Sequence, residues 1–547
     1  MRRTGEPRLL LLWTLQICCA LVLTIVAGQG ANGQTVVGRI SGTVQDANGA
    51  GVPNATIKVI NTATNYERTG TSDENGFYTV TNLPAGTYSV EAEAKGYKKA
   101  LVSGKSVTAD ARLTVDLKLE VGEVSETVEI TSIAGETVNT TSGEVTRVID
   151  QQQVQNLALN GRNYIQLLSL VPGVALLNDD QLELTTSLAT GNQSINGNRG
   201  QTNNVTVDGG FNLQSGSNAS QINNVGIDYI QEVKIQTSNF SAEYGRNSGA
   251  QVSLVTRSGG NDFHGSAWEF LRNDKLDARN FFAPVRPALR FNNFGYAFGG
   301  PIFKDKLFFF GGQEWKYIRR LSAPQRRTVP TLTELNGDFS FRFRGPDGVV
   351  GTADDGVLRD PNNAANTCTG PVFNSQGVIT TPANRTGCFG GNNVALRNII
   401  PTNRITADGL AIANVFRTSI GLATSFINSP VGNNVTFQQP NPLDYREDIF
   451  RIDYKINDKH TLYGRYINDK NELIDPFGTF ITTQLPTIPS LRLRPGKSIQ
   501  VSHTWLVTPT FINEAKVTGA WVAQRIPPFG DLWKRDTYGF QFQQLFT

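Results

Sequence analysis

The chain has 547 residues, with 50 Lys plus Arg against 47 Asp plus Glu and a formal net charge of +3. That length exceeds one ordinary domain, and the near-balanced charge removes the electrostatic case for a nucleic-acid partner or an acidic substrate. The 54 Gly and single Met, among many Asn, Thr, Val and Phe, favour strands and turns over helices.

Residues 1–28 read as an export signal. Arg2, Arg3 and Arg8 form a basic start, an apolar run extends from Leu9 to Ala27, and small residues around Ala27-Gly28 offer a cleavage point. A permanent membrane helix would need a similar run. The polar, Gly-rich continuation and the lack of a second apolar stretch favour a cleaved signal. Gln16-Ile17 before Cys18 lacks the small residues of a lipid-attachment site. Cys18 and Cys19 lie in this leader, which leaves Cys368 and Cys388 as one possible disulfide of an oxidising compartment.

Residues 37–121 alternate in short strands broken by turns. Gly38–Val44, Ala55–Ile60, Gly76–Val80, Gly86–Val90 and Arg112–Leu119 are separated by Asp46-Ala-Asn-Gly49, Asp73-Glu-Asn-Gly76 and Leu83-Pro-Ala-Gly86. This spacing predicts a sandwich of roughly seven strands. The Asp-x-x-Gly-x-Phe-Tyr, Leu-Pro-x-Gly-x-Tyr and Gly-Tyr97 runs resemble the carboxypeptidase regulatory-like domain, an Ig-like fold also counted among carbohydrate-binding-like folds. The resemblance implies a structural or docking module and no peptidase.

Within 122–133, Val124–Ile130 is β-branched, alternating and acidic, suited to adding a strand to a partner's sheet edge. Glu126, Thr127, Val128, Glu129 and Ile130 resemble the TonB box, the segment that the periplasmic protein TonB grips in outer-membrane receptors. The same stretch also suits a last sandwich strand or a linker.

Residues 145–258 follow with Leu159-Asn160-Gly161-Arg162-Asn163, then a short amphipathic helix carrying Leu167, Leu168, Leu170 and Val171, stopped by Pro172-Gly173. Asn196-Gly197-Asn-Arg199 precedes the strand Asn204–Val207 and the turn Asp208-Gly209. Ile230–Thr237 alternates and leads to Glu243-Tyr244-Gly245-Arg246 and the strand Ala250–Gly260. This order resembles the small α/β plug domain of TonB-dependent receptors, in their Oar-like branch. Arg162, Arg199, Glu243 and Arg246 are candidates to pair with a surrounding wall, or are plain solvated loop charges.

After residue 258 the strands become aromatic: His264–Asn273, Asn293–Ile302, Leu307–Tyr317, Glu447–Ile456, Thr461–Tyr466, Val501–Val507 and Phe511–Trp521. Phe450, Ile452 and Tyr454 alternate with Arg451, Asp453 and Lys455, which predicts an antiparallel transmembrane β-barrel, apolar towards outer-membrane lipid and charged towards a wet interior. The stretch from Phe339 to Pro440, which holds Cys368 and Cys388, reads as an extracellular loop. The fold expected is therefore mainly β: a sandwich, a plug and the first part of a barrel over 259–547. The resemblance implies about 22 strands of about 10 residues each. Only about a third of those fit after Gly260, so a fragment or truncated product is expected, one that would not transport as it stands.

No catalytic motif emerges. His264, His460 and His503 lack partners at metal spacing, Gly-x-Ser-x-Gly is absent, and no cofactor or metal is expected. The resemblance implies a TonB-dependent transporter in the outer membrane of a Gram-negative bacterium, importing an unknown extracellular ligand. The alternative is a surface adhesin or assembly protein that binds glycan or matrix without transport.

Overall fold

The computed structural model describes most of residues 37–542. Residues 1–36, 123–126, 130–142, 177–192, 200–201, 215–219, 282–285, 351–355, 363–366, 374–378 and 543–547, with some shorter breaks, lie outside it. The expected signal, Glu126, Ile130, Asn160, Glu243 and Arg246 are therefore not described.

The N-terminal sandwich packs two sheets. β1 (Val37–Gln45) lies between β4 (Phe77–Pro84) and the short parallel strands β7 (Arg112–Thr114) and β8 (Leu117–Lys118). The second sheet orders β3 (Glu67–Thr71), β2 (Thr56–Asn61), β5 (Gly86–Glu93), β6 (Lys99–Val107) and β9 (Thr127–Glu129). Period-two alternation turns Ile40, Val44, Ile57, Val59, Tyr88 and Val90 into one core. The expected strand Arg112–Leu119 is split at Val115–Asp116: the Val115 amide still donates to the Ser41 carbonyl at 2.8 Å, while the Val115 carbonyl accepts the Tyr78 hydroxyl at 2.6 Å. Gly42 is required there: a Cβ would lie 1.9 Å from that carbonyl oxygen. Of Val124–Ile130, the described Thr127–Glu129 pairs in parallel with Lys99–Leu101 at the sheet edge.

The plug is a five-stranded sheet ordered β10 (Val145–Asp150), β15 (Ile230–Ser238), β16 (Gln251–Thr256), β13 (Asn204–Val207) and β14 (Gly210–Phe211). A separate pair joins β11 (Val174–Leu176) to β12 (Gln193–Ile195). Helix Gln151–Asn156 starts from an Asp150 capping box. The amphipathic helix is a 3-10 turn over Tyr164–Leu170 that buries Tyr164, Ile165, Leu167 and Leu168. Leu170, placed in the apolar stripe by α-helical spacing, is exposed as the last residue of that turn.

The wall is one antiparallel sheet: β17 (His264–Asn273), β18 (Leu289–Phe303), β19 (Leu307–Arg320), β25 (Leu443–Lys455), β26 (His460–Asp475), β28 (Gly496–Thr508) and β29 (Phe511–Val522) in order. β27 (Ser490–Leu493) also pairs with β26. The sheet stays open between its edges β17 and β29. Short turns at 304–306 and 456–459 alternate with long connections at the other end. The longest, 321–442, carries β20 (Gln325–Arg327), β21 (Thr367–Phe373), β22 (Ile379–Thr386), β23 (Ser425–Phe426), β24 (Val435–Phe437) and helix Ala407–Gly421. It begins well before Phe339, where composition alone would place its start. Outward Tyr296, Phe298, Phe450 and Val501 are exposed, whereas inward Ala297, Phe310, Ile449 and Ile467 join the plug core. No helix among the described residues is long and apolar enough to cross a membrane, a fact silent on barrel strands.

Candidate functional site

The site is the seam between plug and wall. Strand register sets its chemistry. On the inner face Glu314 pairs with Glu447 and Glu447 with Asp469, which aligns three carboxylates across β19, β25 and β26. Four residues nearer the short turns, Phe310 pairs with Arg451, Arg451 with Arg465, and Arg465 with Gln500. The wall thus presents a row of acceptors and, roughly 13 Å below, a row of donors.

The plug answers each row with the opposite group. Against the carboxylates lies its chain from Gln221 to Tyr229. The Asn224 amide donates to Asp469 Oδ2 at 2.6 Å and the Gly226 amide to Glu447 Oε2 at 2.9 Å. The Tyr445 hydroxyl donates to the Asn224 carbonyl at 3.0 Å, and Arg494 to the Gln221 carbonyl at 2.7 Å. Glu314 is held by Asn293 at 2.6 Å and by Lys316 at 3.4 Å, and Lys316 also donates to the Arg162 carbonyl. All three acids are buried, and such groups remain only when paired or hydrogen-bonded. Among the described residues, no group of three His, Cys, Asp or Glu is arranged to hold a metal ion.

Against the donor row stands Asp208, with Thr256 beside it accepting Arg451 through its hydroxyl at 3.0 Å and its carbonyl at 3.3 Å. Asp208 opens the two-residue turn between β13 and β14, with φ of 50° there and 77° at Gly209, the mirror-type turn that Asp-Gly favours. Its carboxylate accepts the Thr256 amide and hydroxyl, both at 2.8 Å, and Arg465 at 2.8 Å, with Arg451 at 3.5 Å. Its carbonyl accepts Gln500 Nε2 at 2.8 Å. Burial alone would raise the Asp208 carboxyl. The two guanidinium groups and the bonds from Thr256 outweigh it and hold the group below its ordinary range.

The other sequence-singled residues divide. Arg162 pairs with Asp228 inside the plug and lays its guanidinium 3.8 Å from the Phe270 ring of the wall. Burial lifts the Asp228 carboxyl above its usual value despite Arg162, and Glu314 acts in the same direction. Asn163 caps the 3-10 turn through the Ile165 amide, and Asn196-Gly197 forms a second turn with positive φ. Arg199 is exposed; Tyr244 is buried, with Gly245 beside it. Cys388 is buried and disulfide-bonded, while the side chain of Cys368 lies outside the described residues. Sequence reading missed Glu314, Glu447 and Asp469. Their inward parity on alternating strands is the signal that marks them.

Comparison with known proteins agrees with this architecture. A model described as "Outer membrane beta barrel domain" matches residues 255–545, "TonB-dependent Receptor Plug Domain" matches 137–252, and "Carboxypeptidase regulatory-like domain" matches 39–120. The chain belongs to the outer-membrane β-barrel family, and the segment ahead of its barrel matches the plug model of TonB-dependent receptors. Among curated proteins it is similar to the TonB-dependent transporter Oar of Myxococcus xanthus, 30% identical over 309 residues that span 52% of this chain and 28% of that protein. Among solved structures it is similar to the outer membrane transporter YddB of Escherichia coli (TM-score 0.36, 10% identity, 68% of this chain and 38% of that one). A ferric enterobactin receptor variant of Pseudomonas aeruginosa gives a TM-score of 0.36 at 11% identity, covering 69% and 41%.

Proposed function

We propose that the chain supplies the plug and plug-holding wall of an importer driven from the inner membrane. A ligand binds outside, TonB adds a strand to residues 124–130, and the pull shifts the plug. The observation that carries this reading is the Asp208 latch. It joins plug to wall by ion pairs and hydrogen bonds rather than by a shared sheet, so parting them breaks no strand pairing of either. The extended, edge-placed Thr127–Glu129 backbone suits strand addition. Export by a signal at 1–28 and a Cys368–Cys388 disulfide in the outer loop belong to the same reading.

The test is co-purification of TonB with the chain from outer membranes. Deleting Glu126–Ile130 should abolish capture, and Val128→Pro, which removes one ladder amide, should weaken it about tenfold. Capture that survives both changes would sink energised import.

A further inference from the structure

The N-terminal sandwich is seated on the short-turn end of the wall. Asn65 Nδ2 donates to Asp305 Oδ1 at 3.0 Å in the 304–306 turn, and Arg68 donates to the Asp458 carbonyl at 3.1 Å in the 456–459 turn. The Lys455 ammonium lies 5.7 Å from the Tyr66 ring. Where plug meets wall, the Asn261 amide donates to the Ala63 carbonyl at 2.8 Å. The plug adds Glu232, whose carboxylate accepts the Ala109 amide at 2.5 Å. In transmembrane barrels the short turns face the periplasm.

This seat borders a partly open cavity of about 180 Å³ whose lining includes Asn61 and Tyr66 from the sandwich, Asp208 and Thr256 from the plug, and Arg451 and Lys455 from the wall. The latch forms part of the cavity lining, and the sandwich limits its access to bulk water. An ion pair weakens steeply as the effective dielectric rises towards that of water. β9, the strand that carries Thr127–Glu129, is the edge of this same sandwich.

We infer that the sandwich is a removable periplasmic stopper that shields the Asp208 latch from bulk water, so that a pull on β9 undocks this domain before it moves the plug. The inference rests on the import reading for the source of the pull. The docked geometry itself does not.

The test uses the full chain in the outer membranes of living cells. A Cβ built on Gly260 lies 3.7 Å from Ala63 Cβ, within the span of a disulfide. With Ala63→Cys and Gly260→Cys together, mild oxidation should link the two positions in de-energised cells, reversibly by reductant and in neither single variant. In energised cells the link should form about three-fold more slowly, in proportion to the docked fraction, and deleting Thr127–Glu129 should remove that difference. No link in either state overturns the docking. A link equally fast in both states overturns removal of the stopper. If TonB is still captured in that second case, import stands and the stopper alone falls; if capture is also lost, both fall.

Discussion

Asp208 and Arg465, 257 residues apart in sequence, meet at 2.8 Å with each side chain 2% exposed. Their contact closes the plug onto the wall. Because both are buried, removing either strips the other of its nearest counter-charge, at a cost on the order of 3–5 kcal/mol.

Asp208→Asn should therefore destabilise plug seating by about that amount, and Arg465→Gln by a similar amount. The double variant should lose much less than the sum. Protease release of the plug in a urea series measures all three. The Asp208 carboxyl is held below its ordinary value of 3.8 in the folded chain. Its contribution is therefore present above that pH and disappears as pH falls through the lowered value, and the Asn variant should lack this acid-dependent step.

Gly226→Ala should unseat the same face. The new Cβ would lie 2.1 Å from Glu314 Oε2 and 3.2 Å from Glu447 Oε2, and Glu314 is pinned by Asn293 and Lys316. Overpacking of this kind costs about 1–3 kcal/mol. Gly421→Ala, with nothing within 4 Å of its Cβ, serves as the neutral control. Equal urea midpoints for the two variants would contradict the seam described here.

Arg162→Lys keeps the charge but loses the planar stack on Phe270, 3.8 Å away. A loss of about 1–2 kcal/mol in plug stability is expected, with partial recovery when Phe270→Leu removes the ring from both backgrounds. A thermal melt of the four proteins gives the coupling.

Glu232 should make sandwich docking pH-sensitive, since its carboxylate accepts the Ala109 amide across the contact. Burial raises its carboxyl from 4.5 to about 7, against the Ala109 amide and Lys234, with Asp150 adding to the rise. A raised acid favours its neutral form, so docking is strongest below about pH 4.5 and weakens as pH climbs through 7. Spin labels on Asn48→Cys and Lys459→Cys should report a larger docked fraction at pH 5 than at pH 8. Glu232→Gln should flatten the profile.

Local chemistry made much of this protein legible as sequence. Period-two alternation located most of the named strands, and the parity of Phe450, Ile452 and Tyr454 against Arg451 and Lys455 marked the outer and inner faces. Asp208-Gly209 and Asn196-Gly197 announced their turns because few other residue pairs adopt positive φ twice in succession. These features depend on neighbours only a few residues apart. Tertiary structure alone decided which strands stand side by side, and hence that Glu314, Glu447 and Asp469 align while Arg451 and Arg465 converge on Asp208. It also placed Thr127–Glu129 on the sandwich edge and the sandwich on the short turns. The physical reason is that a strand's alternation specifies its faces but not its partners. Pairing and docking arise from register and burial summed over segments hundreds of residues apart, and no local pattern encodes that sum.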